Sequence, residues 1–294
     1  MKVFNILAFT LLVSTAILFT GTASAEDITV QGIPLPWQIG YQDPASPIMR
    51  DIAWFHDIVL LPMMIGISLF VAVLLAYIGW RFSEKRNPVP AKFTHNTMIE
   101  VIWTAIPVLI LLALIVPSMS LLYRYETVPE GTNLTIKATG FQWAWNYDYP
   151  DYDGLNFDAY MLEESDLTNP AWRNLETDNY LVVPTNTNIR LQVTTSDVIH
   201  AFAIPALGIK KDAIPGRLNE LPMYIEKEGL YFGQCSEICG VGHAYMPITI
   251  HAVSPDEFKV WANNAQSARL NGTLLPKAGH EVKLETAQLS TNNE

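Results

Sequence analysis

The chain has 294 residues, about half of them hydrophobic, and carries a net charge of −11 at pH 7. This acidic balance argues against a nucleic-acid partner, because nucleic acids are bound through clustered basic residues. Cys235 and Cys239 are the only cysteines, so any cysteine chemistry is confined to one short segment.

The beginning of the chain has the pattern of a secretory signal. A basic start precedes the apolar run Val3–Phe19, and small residues up to Ala25 provide a cleavage site. We therefore predict a cleaved signal peptide over residues 1–25. The mature chain would begin with a periplasmic segment over residues 26–57.

Two later apolar segments, Ile58–Trp80 and Ile99–Leu122, are each long enough to cross a bilayer. A buried helical hairpin of a soluble protein would show a polar face, which the first segment lacks. We predict a transmembrane helical hairpin over residues 58–122. Its loop, at about residues 81–98, is rich in basic residues and is predicted to be cytoplasmic.

Residues 127–269 have a different character and are predicted to form a separate periplasmic domain. Short segments rich in Val, Ile, Thr and Tyr alternate with turn residues, a pattern typical of a Greek-key sandwich or barrel. The predicted strands are Leu134–Thr139, Trp143–Tyr147, Tyr180–Val183, Ile189–Thr194, Val198–Ile204, Met223–Ile225, Leu230–Gln234 and Pro247–Val253.

A final helix is predicted after these strands. Ser254 is a capping residue, Pro255 suits the first helical position, and Glu257 completes a capping box, so the helix should begin there and run to about Ala268. The polar residues 270–294 are predicted to be a flexible tail.

The segment from Cys235 to Met246 gathers two thiols, an imidazole and a thioether, and His200 lies upstream in an apolar strand. Soft sulfur ligands combined with imidazole favour copper over hard cations. A single-copper blue site needs one cysteine, so the second cysteine suggests two thiolates that bridge two copper ions. His200 and His243 would each terminate one copper, with Met246 and the backbone carbonyl of Glu237 as weak outer ligands.

Two other interpretations of this segment remain open from the residues alone. Two cysteines in an exported domain usually form a disulfide. A zinc site of two cysteines and two histidines is also conceivable, although it gives no role to Met246.

The chain resembles subunit II of the haem-copper cytochrome c oxidases, in particular the bacterial aa3 type. The resemblance extends from the first transmembrane helix to the final helix, and it implies a cupredoxin domain carried by a two-helix hairpin. It also identifies residues 162–178 and the tail as additions to the family pattern. The resemblance rests on four segments, which are Gly140–Tyr147, Ser196–Pro205, Asp212–Arg217 and Gly229–Pro247.

Carried over position by position, the resemblance implies a dinuclear copper centre, called CuA. Its ligands would be His200, Cys235, Glu237 through its carbonyl, Cys239, His243 and Met246. The side chain of Glu237 would also reach a magnesium ion shared with subunit I.

The resemblance further implies a function in respiration at the bacterial inner membrane. The subunit would accept electrons from cytochrome c, with Trp143 as the point of arrival, and pass them to haem in subunit I. Oxygen would be reduced there, coupled to proton pumping, and Glu100 would lie at the cytoplasmic mouth of one proton pathway. Subunit III and the lipid bilayer are further expected partners.

Acidic residues offer a docking surface for a basic cytochrome, since opposite charges increase the rate of encounter. We expect five carboxylates to gather around Trp143 and the copper rim. They are Asp148, Asp151, Asp153, Asp158 and Asp197. An ordinary solvated acidic face is the alternative interpretation.

Overall fold

The computed structural model describes residues 29–271, 273 and 275. The predicted signal peptide lies outside the described residues, as do most of the residues predicted to form the tail. Within the described part, a helical hairpin precedes a two-sheet β-sandwich, which is closed by a final helix.

The first helix, α1, spans Pro47–Arg81, and its residues Phe55–Leu60 form a π-helical turn. It begins eleven residues before the predicted transmembrane segment. The reason is a local start signal, because the Ser46 side chain accepts a hydrogen bond from the Met49 N–H and Pro47 occupies the first turn.

The second helix, α2, spans Thr97–Glu126 and includes Pro107 and Pro117. Both helices are long and apolar enough to cross a membrane, as predicted. No residue of α2, or of Leu61–Arg81 in α1, is buried within the described chain. Their apolar side chains therefore face the surroundings on every side.

The sandwich confirms the predicted all-β domain. One sheet has the order β5-β11-β10-β7-β8, with β1 beside β10, and the other has the order β4-β3-β2-β6-β9. The strands are β1 Val30–Gly32, β2 Leu134–Phe141, β3 Ala144–Asp148, β4 Asn156–Ala159, β5 Leu181–Pro184, β6 Ile189–Thr195, β7 His200–Ile204, β8 Ile209–Ala213, β9 Asn219–Met223, β10 Gly229–Cys235 and β11 Pro247–Val253.

The strand prediction was incomplete at the edges of the sheets. Strands β1, β4 and β8 were not predicted, and β9 ends where the predicted strand Met223–Ile225 begins. Strand β8 carries charged residues at its outward positions, and β9 contains Asn219 and Pro222. Such residues are common on edge strands, so composition alone did not distinguish these strands from loops.

The final helix, α3, spans Pro255–Asn271 and confirms the predicted start. The Glu257 N–H donates to the Ser254 hydroxyl oxygen at 3.3 Å, and the Ser254 N–H donates to the Glu257 carboxylate at 3.1 Å. This is the reciprocal capping box that the sequence indicates. The buried Phe258 and Trp261 pack against the aromatic core.

The additional segment 162–178 covers the outer face of β10 and β11. Its buried Glu176 carboxylate accepts hydrogen bonds from the Thr168 N–H at 2.8 Å and from the Tyr180 hydroxyl at 2.5 Å. Trp172 packs on Phe232 of β10, with ring centroids 5.3 Å apart. The segment is therefore a folded part of the sandwich.

Candidate metal centre

The sequence brings the candidate ligands together through two adjacent strands. Strand β10 ends at Cys235, and β11 begins at Pro247, so residues 236–246 form a loop at one rim of the sandwich. His200 opens β7, which pairs with the end of β10. The loop and the strand therefore meet at the same edge.

The two thiols lie side by side without a bond between them. Their sulfur atoms are 3.8 Å apart, far beyond the ~2.05 Å of a disulfide. Both cysteines are buried and free. The arrangement brings two soft donors into one dry site and does not support the disulfide interpretation.

An imidazole nitrogen faces each thiol. The Nδ1 atom of His200 lies 3.8 Å from the Cys235 sulfur, and the Nδ1 atom of His243 lies 3.6 Å from the Cys239 sulfur. The ligand atoms of His200, Cys235 and Cys239 all lie within 4.8 Å of one another. A cation between them would therefore find sulfur and nitrogen donors together.

Two weaker donors complete the set. The Met246 sulfur lies 3.6 Å from the Cys239 sulfur, and the Glu237 carbonyl oxygen lies 3.4 Å from the Cys235 sulfur. Zinc sites use cysteine, histidine and carboxylate ligands. The convergent thioether fits copper better than zinc, since soft sulfur ligands suit copper. The residues present thus fit a copper centre.

Hydrogen bonds hold the His200 ring in the orientation that such a site needs. Its Nε2 atom lies 2.9 Å from an Asp197 carboxylate oxygen, so a proton on Nε2 leaves Nδ1 free to face the thiol. Burial alone raises the pKa of the Asp197 carboxyl, but hydrogen bonds from His200 and from backbone N–H groups outweigh it and lower the pKa. Asp197 therefore remains ionised beside the imidazole.

The two thiols differ in acidity. Burial raises the pKa of the Cys235 thiol, but hydrogen bonds with His200 and with nearby backbone groups outweigh it and lower the pKa to about 6. Burial and the adjacent Cys235 thiolate raise the pKa of Cys239 to about 12. The pair therefore loses its first proton more readily than its second, and a bound cation would favour the loss of both.

Trp143 lies directly on the loop of residues 236–246. Its indole N–H donates to the Cys239 carbonyl at 3.3 Å, and the neighbouring Gln142 side chain donates to the same oxygen at 2.8 Å. A Cβ atom on Gly242 would lie 2.3 Å from the Trp143 ring. Glycine is therefore required where the ring meets the loop.

The predicted docking carboxylates lie at different places in the fold. Asp197 lies at the site but is occupied by His200, and Asp158 lies opposite Asn146 in the ladder that follows Trp143. The remaining three lie further along β3 or in the turn beyond it. They are Asp148, Asp151 and Asp153.

The structure places the other two predicted functional carboxylates apart from each other. Glu237 lies in the loop of residues 236–246 and is exposed. Glu100 lies in the first turn of α2, which Asn96 caps through its side chain, at the end of the helix that is remote from the sandwich.

Sequence reasoning missed the role of Gln142 and the inward role of Asp197. The Gln142 N–H donates to Asp197 at 2.6 Å, so one carboxylate ties the segment before Trp143 to the His200 ring. One signal for Asp197 was available in the sequence. A metal-binding histidine commonly donates a hydrogen bond from its other ring nitrogen to a carboxylate, and Asp197 is three residues before His200.

Comparisons with known proteins agree with this geometry. The family described as "Cytochrome C oxidase subunit II, periplasmic domain" matches residues 134–253, and "Cytochrome C oxidase subunit II, transmembrane domain" matches residues 34–121. A "Probable cytochrome c oxidase subunit 2" of Rickettsia felis is 49% identical over 239 residues, which are 81% of this chain and 75% of that protein.

Two further matches come from a plant and from a solved structure. The "Cytochrome c oxidase subunit 2" of Oenothera berteroana is 47% identical, over 78% of this chain and 90% of that protein. The crystal structure of the periplasmic domain of subunit II of a Bradyrhizobium japonicum cytochrome oxidase is 51% identical, over 48% of this chain and 98% of that chain, with a TM-score of 0.45.

Proposed function

The chain belongs to the cytochrome c oxidase subunit II family, and from this premise we propose that it receives electrons from cytochrome c at a dinuclear CuA centre. It would pass them to haem in subunit I, where oxygen is reduced and protons are pumped. The observation that carries the proposal is the convergence of two unbonded thiols, two imidazole nitrogens and a thioether.

The loop and β7 would hold two copper ions through six residues. When bound, the copper pair supplies a couple that gains and loses one electron at a time. The protein keeps the donors dry, since His200 is fully buried and both cysteines nearly so. Donors fixed at the rim of two paired strands move little, which suits electron transfer. The six residues are His200, Cys235, Glu237 through its carbonyl, Cys239, His243 and Met246.

Trp143 is proposed to be the point at which the electron arrives. The support is its direct contact with the loop, since its N–H donates to the carbonyl of Cys239, a proposed ligand. The ring is only half-buried, so one side remains accessible to a donor protein. A basic cytochrome would be attracted to the acidic face that includes Asp158.

Three further assignments follow from the family and complete the proposal. The exposed carboxylate of Glu237 would bind magnesium at the boundary with subunit I, for which carboxylate oxygens are suitable ligands. Glu100 would serve the cytoplasmic mouth of a proton pathway. The subunit would work with subunits I and III in the bacterial inner membrane.

Replacement of either bridging thiol tests the copper assignment. Cys235→Ser and Cys239→Ser in the purified oxidase should each abolish the mixed-valence paramagnetic signal that couples to two equivalent copper nuclei, because a hydroxyl cannot supply a soft thiolate. Ser236→Ala, within the same loop, is the matched control and should retain the signal. An intact two-copper signal in either cysteine variant would rule out the assignment.

Replacement of Trp143 tests the point of electron arrival. Trp143→Phe should slow the reduction of copper by cytochrome c strongly, as measured by stopped flow, while copper content and cytochrome binding persist. Trp172→Phe, which changes a tryptophan of the additional segment that packs on Phe232 of β10, should leave the rate unchanged. Normal reduction in Trp143→Phe would leave packing as the only role of the ring.

A further inference from the structure

An apolar turn before α1 presents large side chains that are mostly exposed in the described chain. Trp37 and Ile39 are 97% and 103% exposed, and Leu35 and Tyr41 also present large apolar surfaces. Residues 28–42 contain no charged side chain. Contiguous exposed apolar surface of this kind is typical of an interaction site.

The backbone presents Trp37 at a conformational cost. The turn is closed by the Gln38 N–H, which donates to the Leu35 carbonyl at 3.2 Å, and Trp37 has a φ of +63°. Glycine normally occupies that region, and a bulky side chain there is unusual. A strained residue that packs on nothing suggests a functional reason for the tryptophan.

Hydrogen bonds of Gln38 close the turn on itself. The Gln38 side chain accepts from the Leu35 N–H at 3.1 Å and donates to the Tyr41 carbonyl at 2.7 Å. The outward face offers apolar side chains and the indole of Trp37.

The end of the turn lies close to the predicted start of the transmembrane segment. The Tyr41 ring contacts the His56 ring edge-on, with centroids 5.0 Å apart. His56 is two residues before Ile58, the start of the apolar span, which is about 3 Å along an α-helix. Tyr41, the last residue of the turn, therefore lies beside α1 near the predicted start of the apolar span.

We propose that this turn, residues 35–41, inserts into the phospholipid interface of the periplasmic leaflet, with Trp37 as its anchor. Tryptophan is enriched where polar headgroups meet acyl chains, because its ring is apolar and its N–H is a donor. The inference depends on α1 spanning the membrane and is independent of the copper centre.

The test uses the whole oxidase in phosphatidylcholine nanodiscs whose acyl chains carry bromine near the headgroup. Bromine quenches the fluorescence of nearby tryptophans. The fluorescence of Trp37, measured as the difference between the parent and Trp37→Phe, should therefore be strongly quenched. The fluorescence of Trp172, measured in the same way with Trp172→Phe, is the control and should not be quenched. If the Trp37 emission is unquenched in the oxidase, the proposal is wrong. Quenching only in the isolated chain would mean that another subunit covers the turn, which also overturns it.

A second variant separates anchoring from folding. Trp37→Gly suits the left-handed backbone, so the melting temperature of the oxidase in detergent should be unchanged or slightly higher. A clear fall in the melting temperature would show that the ring packs within the protein and would contradict the anchor.

Discussion

The hairpin and the sandwich are both rich in apolar residues, yet they bury them in opposite ways. Leu109 on α2 is 63% exposed, whereas Leu191 on β6 is fully buried. The residues of β2 alternate between buried and half-buried positions, while α2 has no buried residue at all. The comparison shows that periodicity, more than apolar content, tells which surroundings a segment needs.

The boundary between the two regions does not coincide with the start of α1. The Ala45 N–H donates to the Ala206 carbonyl at 2.9 Å, and the Glu226 N–H donates to the Ala45 carbonyl at 3.0 Å. Arg50, in the first turns of α1, forms two hydrogen bonds with Glu226. The beginning of the helix is thus joined to the sandwich, and only its later part is free of it.

The largest expected effect on stability comes from a leucine-to-alanine substitution, which is made once in each region for comparison. Leu191→Ala should lower the free energy of unfolding of the sandwich by about 2–5 kcal/mol, as large-to-small changes in a core do. Its strand neighbours Ile136 and Leu221 are also fully buried, which limits collapse around the cavity. Leu109→Ala, on the exposed face of α2, should leave the sandwich unaffected.

Urea denaturation of the full chain in detergent, followed by the circular dichroism of the β-sheets, measures both variants. An equal loss of stability in the two variants would show that the hairpin and the sandwich unfold as one unit, contrary to the comparison.

The contact between the start of α1 and the sandwich can be tested by substituting two glycines that have similar backbone dihedral angles. Gly208 has a φ of +67° and Gly131 a φ of +75°, so alanine at either position should cost about 1 kcal/mol. At Gly208 a Cβ atom would also lie 3.0 Å from Ile52 and 3.2 Å from Met49, both in α1, whereas nothing lies within 4 Å at Gly131. We expect Gly208→Ala to cost about 1 kcal/mol more, through overpacking.

Hydrogen exchange gives a second measure of the contact between the start of α1 and the sandwich. The Ala45 amide should exchange faster in Gly208→Ala than in Gly131→Ala, because a shift of α1 would weaken its bond to Ala206. Equal stability and equal exchange in the two variants would show that the contact with Gly208 does not hold α1.

The fold was predictable where each segment carried its own pattern. The hairpin, the alternating strand β2 and the capping box at Ser254 could all be identified from neighbouring residues. Strand β8 and the additional segment could not, because their structure depends on distant partners. The buried Glu176, for example, is tolerated only because Thr168 and Tyr180 donate to it.

The candidate metal site was also most predictable where its residues are neighbours in the sequence. Five of the six proposed ligands lie between Cys235 and Met246, so their spacing indicated soft-metal chemistry. The roles of Gln142 and Asp197 depend on two separate turns, β2–β3 and β6–β7, that meet only in the folded chain. The sequence placed Asp197 among five predicted docking carboxylates, and only the folded chain shows that its carboxylate also lies 2.9 Å from the His200 ring.

The smallest effect expected within the sandwich is a pH dependence of the unfolding free energy, caused by His251 of β11. This ring is buried, and its Nδ1 atom has no hydrogen-bond partner among the described residues. Burial lowers the pKa of His251, and the charge of Glu257 opposes this only partly. The unfolded chain therefore binds the proton more readily, so His251 should destabilise the fold as the pH falls through about 6.5.

His251→Gln should flatten the dependence of unfolding free energy on pH between 7 and 5, because glutamine does not titrate. His95→Gln is the matched control in the hairpin, since the exposed ring of His95 loses little contact with water on folding. Urea midpoints measured at several pH values would show the effect as a difference in slope between the two variants. Identical slopes in the parent and His251→Gln would mean that water or a structural rearrangement satisfies the buried ring when it is protonated.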